Sequence, residues 1–442
     1  MSWLLEHPES CLFFSVAIAI LTICSIRRQD FFKPARLYVL VQMSMLGIAY
    51  LKASPAMTDF RLNTWLVWGG GMLSFVVGCA LVDLQWRKIG NQELPAKLCL
   101  HAEYNWHRHF FLCFVAFGYF LIGVIGVVSL AGNLILFTKN PGFWLSGKDS
   151  PVLIYSQFFT STAMVAGLFA VASFKAMNPI RWIRNCSRFM VFFSLLLGFM
   201  TFPSRGINML GIGMIILLYN YLHSRFSWKI IVVLIAFIVV FFVGVASLKG
   251  QYGDTNVLDS KVVKVVAMLP YKYIANNYWN LDYAMNRSND IPDHPFTYGI
   301  DAWFGITQPL RIGEGLQQSL GWDSPFNESV VKVKGLNTIP YLWDAYKDFG
   351  YPGIFILPFL FGILFNHLYH SMAKAKNPMI FLFMCSFQMW IILWNFTTGY
   401  KQAMYWVWFL FFFLVCKACV LGQRNSFPKV HKEENAQGDV AG

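Results

Sequence analysis

The chain has 442 residues, 57% of them hydrophobic and 18% aromatic, with only 13% charged, about half the charged share of a soluble domain. A water-soluble core cannot hide that much apolar surface, so the bilayer is the solvent. The net charge of +13 raises nucleic acid as a partner, but the basic residues gather in short loops of one parity, which is a topology signal and not a nucleic-acid surface.

The start, Met1 to Ser10, carries Glu6 and Glu9 in place of a basic n-region, so no cleavable signal peptide is expected and the first span is retained. Apolar blocks then recur at about the twenty-residue length that crosses a hydrocarbon core. In chain order they are Cys11–Ile26, Leu37–Leu51, Asn63–Leu84, Phe110–Ala131, Val152–Phe174, Phe189–Phe202, Ile207–Leu222, Trp228–Leu248, Tyr351–His370, Met379–Thr398 and Gln402–Leu421. The reading is an all-α polytopic membrane protein of about eleven transmembrane helices. Residues 1–248 hold the first eight, 249–350 form one large loop, 351–422 hold the last three, and 423–442 are a polar, disordered tail.

Alternate connections carry Arg27, Arg28, Lys33 and Arg36; Arg87, Lys88, Lys97 and Arg108; Lys175, Arg181, Arg184 and Arg188; Arg225 and Lys229; Lys374 and Lys376; and Lys417, Arg424, Lys429 and Lys432. The opposite short loops hold Lys52, Arg61, Lys139, Lys148, Arg205 and Lys401, a ratio of twenty to six. Basic loops face the cytoplasm, so the N-terminus lies outside, the C-terminus inside, and the large loop outside.

That loop holds eleven acidic and nine basic residues and no cysteine, so it is nearly neutral and free of disulfides. Trp279, Trp303, Trp322 and Trp343, set among Tyr, Asn, Asp and Gly, read either as a surface that stacks on sugar rings or as the packing of a small folded lid. Lys261 to Tyr283 reads as a helix broken at Pro270, with an apolar valine side that lies on the membrane surface. Cys416 and Cys419 have CxxC spacing on a span without further ligands, which is no metal or redox site. No phosphate-binding loop, HExxH, GxSxG or dinucleotide fingerprint occurs, so any energy comes from the substrate.

Arg205, in Pro203-Ser204-Arg205-Gly206 between two apolar segments, is the sharpest single signal. A guanidinium at membrane depth either grips an anion through its planar fork or snorkels to the interface. Arg311 stands in a Pro/Gly-bounded turn beside Glu314, and reads either as a second diphosphate ligand or as that glutamate's partner. Lys249, at the end of the eighth span, is a third cation of the same kind. His294, the loop's single histidine, together with Asp344, Asp348 and Glu314, supplies the candidate general bases.

The stretch from Gly335 to Gly353 contains Asn337-Thr338, Tyr341, Asp344 and Asp348-Phe349-Gly350 before a hydrophobic helix. It resembles the corresponding stretch of Wzy-type O-antigen polymerases, the bacterial oligosaccharide repeat-unit polymerases. Ser204-Arg205 and the order of spans and late loop are similar to that family as well. Read without the family, Asp348-Phe349-Gly350 is a helix-entry turn.

The resemblance implies a GT-C-like membrane glycosyltransferase of the bacterial inner membrane. It would act at the periplasmic face on undecaprenyl-diphosphate-linked oligosaccharide, with no cofactor and no metal, beside a polysaccharide chain-length regulator. Arg205, Arg311, His294 and Asp348 would be catalytic, and Lys249, Glu314, Asn337, Tyr341 and Asp344 substrate-binding. Three rivals remain at this point. An O-antigen ligase would use the same donor with a lipid A-core acceptor. A lipid-oligosaccharide flippase or exporter would need charges lining a path between helices. A membrane O-acyltransferase would need a buried histidine, for which His367 is the candidate.

Overall fold

The computed structural model describes residues 7–27, 29–53, 58–88, 94, 98–100, 103–138, 162–201, 205–234, 236, 269–287, 299, 338–396 and 398–421, with 205–207, 269 and 287 in backbone only. The named helices are α1 (Pro8–Ile26), α2 (Pro34–Ala49), α3 (Leu62–Lys88), α4 (Trp106–Ala131), α5 (Thr162–Ser173), α6 (Arg181–Thr201), α7 (Arg205–Leu222), α8 (Leu269–Arg287), α9 (Tyr341–Ser371), α10 (Met379–Leu393) and α11 (Ala403–Cys419). A further helical stretch covers 228–234. Among the described residues there is no strand beyond one isolated bridge, Tyr104 to Val420. Among the described residues, five helices are long and apolar enough to cross a bilayer, and five shorter ones are apolar.

The helices carry apolar stripes on both faces. On α3, Val67, Phe75, Cys79 and Val82 are buried, while Leu66, Leu73, Val77, Leu81 and Leu84 are exposed on the opposite side. The same holds for Phe189, Phe192 and Leu196 on α6 and for Leu410, Phe413 and Leu414 on α11. So many large apolar side chains turned outward at helical spacing suit lipid and not water. The chain is an all-helical membrane protein.

Small residues let the helices approach. A Cβ on Gly78 would lie 2.3 Å from the Phe359 carbonyl, and one on Gly362 would lie 2.3 Å from the Phe75 carbonyl, so α3 and α9 touch backbone to backbone. Asn366 Nδ2 donates to the Cys79 carbonyl at 2.7 Å across the same seam. Every residue of α5 is buried, which makes it the central helix. α4 is fixed at its start by Asn105, whose side chain accepts from Arg108 N–H, and ends on Gly132 at φ +67, the left-handed geometry that suits glycine.

α9 begins earlier than the sequence reading places it. Helix runs from Tyr341, breaks at Gly350 (φ 65, ψ −152), and resumes with Pro352 in the first turn of its second half. That φ/ψ pair is open to glycine almost alone, and a proline near a helix start loses no hydrogen bond. Asp348 therefore lies in the last turn before a break, not in a helix-entry turn.

The described part of α8 starts at Leu269, with Pro270 in its first turn; residues 261–268, which hold the valine side expected on the membrane surface, lie outside the described residues. Ala275, Asn276, Asn277, Tyr278, Trp279, Asn280 and Leu281 are buried, and the described part of the helix packs on α2 and α3.

Candidate functional site

The bundle has two distinct ends. One gathers the α1–α2 turn and the C-terminal ends of α3, α7 and α9. There Lys33 pairs with Asp83 at 2.6 Å, His370 Nε2 meets the same carboxylate at 2.7 Å, and Asn366 donates to it at 2.9 Å. Asp30 accepts from Tyr369 at 2.8 Å and faces Arg225 at 3.5 Å. This is the end that carries the basic loops.

The opposite end holds a second polar network, built from residues that the apolar helices force together. Tyr341 N–H donates to the Trp394 carbonyl at 2.9 Å, which seats the start of α9 on the chain leaving α10. The Tyr341 ring stacks on Trp394 at 4.2 Å, and its hydroxyl meets that of Tyr38 at 3.0 Å. One turn further along, Asp344 Oδ1 accepts from Lys401 Nζ at 2.6 Å, and Oδ2 accepts from Thr398. Both partners are largely shielded, with side chains 9% and 16% exposed for Asp344 and Lys401. An ion pair so buried holds together only because each charge answers the other's desolvation.

Beneath it, Gln42 Nε2 donates to Asn395 at 3.1 Å, while Gln42 Oε1 accepts from Trp68 at 3.1 Å and from Tyr278 at 3.3 Å. Burial pushes the Tyr278 phenol well above its usual range, so it remains a neutral donor. At the rim, Asp282 accepts from Arg61 N–H at 3.0 Å and Thr64 at 2.5 Å, with Asn286 joining at 3.1 Å. Asn280 donates to the Thr338 carbonyl at 3.0 Å, and Thr338 Oγ1 donates to Asn277. α8 is thereby tied to both α3 and the entry to α9. The result is a buried belt of amides, hydroxyls and aromatic rings around one ion pair, its polar groups bonded largely to one another.

Of the residues singled out in the sequence, Tyr341, Asp344 and Asp348 meet in this region. All three are buried, and Asp344 and Asp348 stand four apart on one face of the segment 341–349. Arg205 is the first residue of α7. The end of α7 lies at the basic end, with the Tyr221 ring against Tyr369 and Arg225, just beyond it, facing Asp30. The start of α7 therefore points away from that end; the Arg205 side chain lies outside the described residues, as do Lys249, His294, Arg311, Glu314 and Asn337. His367, the candidate for acyl transfer, is exposed on α9 beside Trp86.

Sequence reasoning counted Lys401 only as a stray outer cation, and passed over Gln42, Asn395 and Asp282. The signal was present for two of them, since Gln42 and Asn395 interrupt long apolar runs, where a polar side chain needs a partner. Asp282 sits in a polar stretch where nothing local marks it. Compared with family models, curated proteins and solved structures, the chain matches none.

Proposed function

We propose that this chain is a polytopic glycosyltransferase of the bacterial inner membrane, with about eleven spans in a GT-C-like arrangement. It polymerises undecaprenyl-diphosphate-linked oligosaccharide repeat units at the periplasmic face. The supporting observation is that the Asn337 to Gly353 stretch leads into α9, which starts on the Trp394 carbonyl opposite the basic end, while Ser204-Arg205 leads into α7, which ends at the basic end and so starts away from it.

In the reaction, the acceptor sugar hydroxyl of the incoming repeat unit forms a bond to the anomeric carbon of the growing chain. The bond from that carbon to the lipid diphosphate breaks, and the hydroxyl proton passes to a carboxylate or imidazole base. Negative charge grows on the departing diphosphate, so the gain comes from cations fixed where that charge appears. Arg205 and Arg311 take that role, with Lys249 as a further ligand. Asp348 and His294 are the candidate bases. Tyr341, Asp344, Asn337 and Glu314 hold sugar hydroxyls, and Lys401 keeps the Asp344 carboxylate in place. The large segment 249–350 is the extracytoplasmic part, and a chain-length regulator is the expected partner.

The test is genetic. A strain lacking the chain should display surface glycan with a single repeat unit in place of a ladder. A ligase would leave the carrier lipid bearing long chains and the core bare, and a flippase would leave repeat units at the cytoplasmic face. Either of those two patterns would overturn the reading.

A further inference from the structure

A cleft of about 550 Å³ opens at the basic end between the end of α5, the first half of α6 and the end of α7. Its walls are apolar, with Phe174, Val191, Ile215 and Leu222 among them, and Tyr219 and His223 meet edge to face at 4.6 Å on one side. Two side chains in it are basic, Lys175 and Arg188, and no lining residue is acidic.

Several cations at this end are held by carboxylates or carbonyls. Lys33 is held by Asp83, Arg225 by Asp30, and Arg184 by the carbonyls of Asn178 and Pro179. Lys175 and Arg188 have no such partner among the described residues. Arg188 is also placed unusually. It lies seven residues into α6 from Arg181, about 10 Å along the axis, exposed like Lys175 and followed in the chain by exposed Phe189 and Phe192. An exposed cation bordered by outward apolar rings suits an anion that itself sits at the interface and carries apolar chains.

We propose that this cleft binds an anionic phospholipid, with its phosphodiester between Lys175 and Arg188 and an acyl chain along Val191 and Ile215. The ammonium and the guanidinium supply donors to the phosphate oxygens, Arg188 in its bidentate fashion. The apolar walls take the chain that a free phosphate lacks. The site lies at the opposite end from the Asp344 and Lys401 pair, so it stands whether or not the glycan reaction does.

The test uses the purified full chain in neutral detergent and native mass spectrometry, titrated with dioleoyl phosphatidylglycerol, with dioleoyl phosphatidylcholine or with inorganic phosphate. One phosphatidylglycerol should be retained, phosphatidylcholine should not, and millimolar phosphate should not displace the lipid. Lys175→Gln with Arg188→Gln keeps the apolar stems and removes both charges, and should weaken retention roughly thirtyfold, about fivefold per cation. Ile215→Trp keeps both charges and fills the wall, and should also lose the lipid. Lys376→Ala, at another exposed cation, should change nothing. Equal retention of phosphatidylcholine, displacement by phosphate alone, or wild-type retention in either cleft variant would overturn the proposal.

Discussion

Lys401 reaches back from the turn before α11 to place its ammonium 2.6 Å from Asp344 Oδ1, near the start of α9. This ion pair ties the entry of α9 to the turn that leads into α11. Removing only the cation leaves a carboxylate shielded from water, so Lys401→Met should cost about 3 kcal/mol. Asp344→Asn combined with Lys401→Met should recover most of that. Thermal unfolding in detergent measures both, and a single variant that melts like the wild type would show that the pair does not hold the helices.

The seam between α3 and α9 has no room for a methyl group. Gly78→Ala and Gly362→Ala each drive a Cβ into a facing carbonyl at 2.3 Å, and each should destabilise by about 1–3 kcal/mol. Gly69→Ala, on the same helix with nothing within 4 Å, should be neutral or stabilising by up to about 1 kcal/mol. The contrast between two glycines of one helix separates close packing from a general intolerance of substitution.

Gly350 carries the break that lets the segment 341–349 turn inward. An alanine at φ 65 and ψ −152 is strained by about 1–3 kcal/mol. Gly350→Ala should relieve this by straightening α9 and pulling Asp344 from Lys401. The measurable sign is loss of the Lys401→Met effect in the Gly350→Ala background, since a pair already broken cannot be broken again.

Much of the architecture was legible in the sequence because lipid imposes a simple rule: a span must be long, apolar and helical. Ten apolar helices lie within or overlap the blocks read from composition. What was not legible depends on partners far apart in the chain. The segment 341–349 is too polar and too short to read as buried, and only its seat against Trp394 and Lys401 explains why it is. α8 likewise has the composition of a surface helix, and its Asn277 and Asn280 bond to Thr338, which no local pattern announces. Arg205 stood out because its neighbours are apolar; Asp282 did not, because its neighbours are polar.

The orientation can be read with thiols already present. Cys99 and Cys186 are exposed at the basic end, and Asp59, 70% exposed, lies at the other. In a Cys11→Ser background, a membrane-impermeant maleimide added to spheroplasts should leave the parent unlabelled and label Asp59→Cys. After lysis, Cys99 and Cys186 should react. Labelling in the reverse order would invert the topology and remove the proposed reaction face.

The reaction itself is the most direct test. The purified chain in liposomes would be given the lipid-linked oligosaccharide extracted from cells that lack it, and the products separated by size. Glycans of two or more repeat units should appear with one undecaprenyl diphosphate released for each bond formed, and Arg205→Ala, at unchanged protein level, should abolish both. Elongation by Arg205→Ala at the wild-type rate, or no elongation by correctly oriented wild-type protein, would contradict the account.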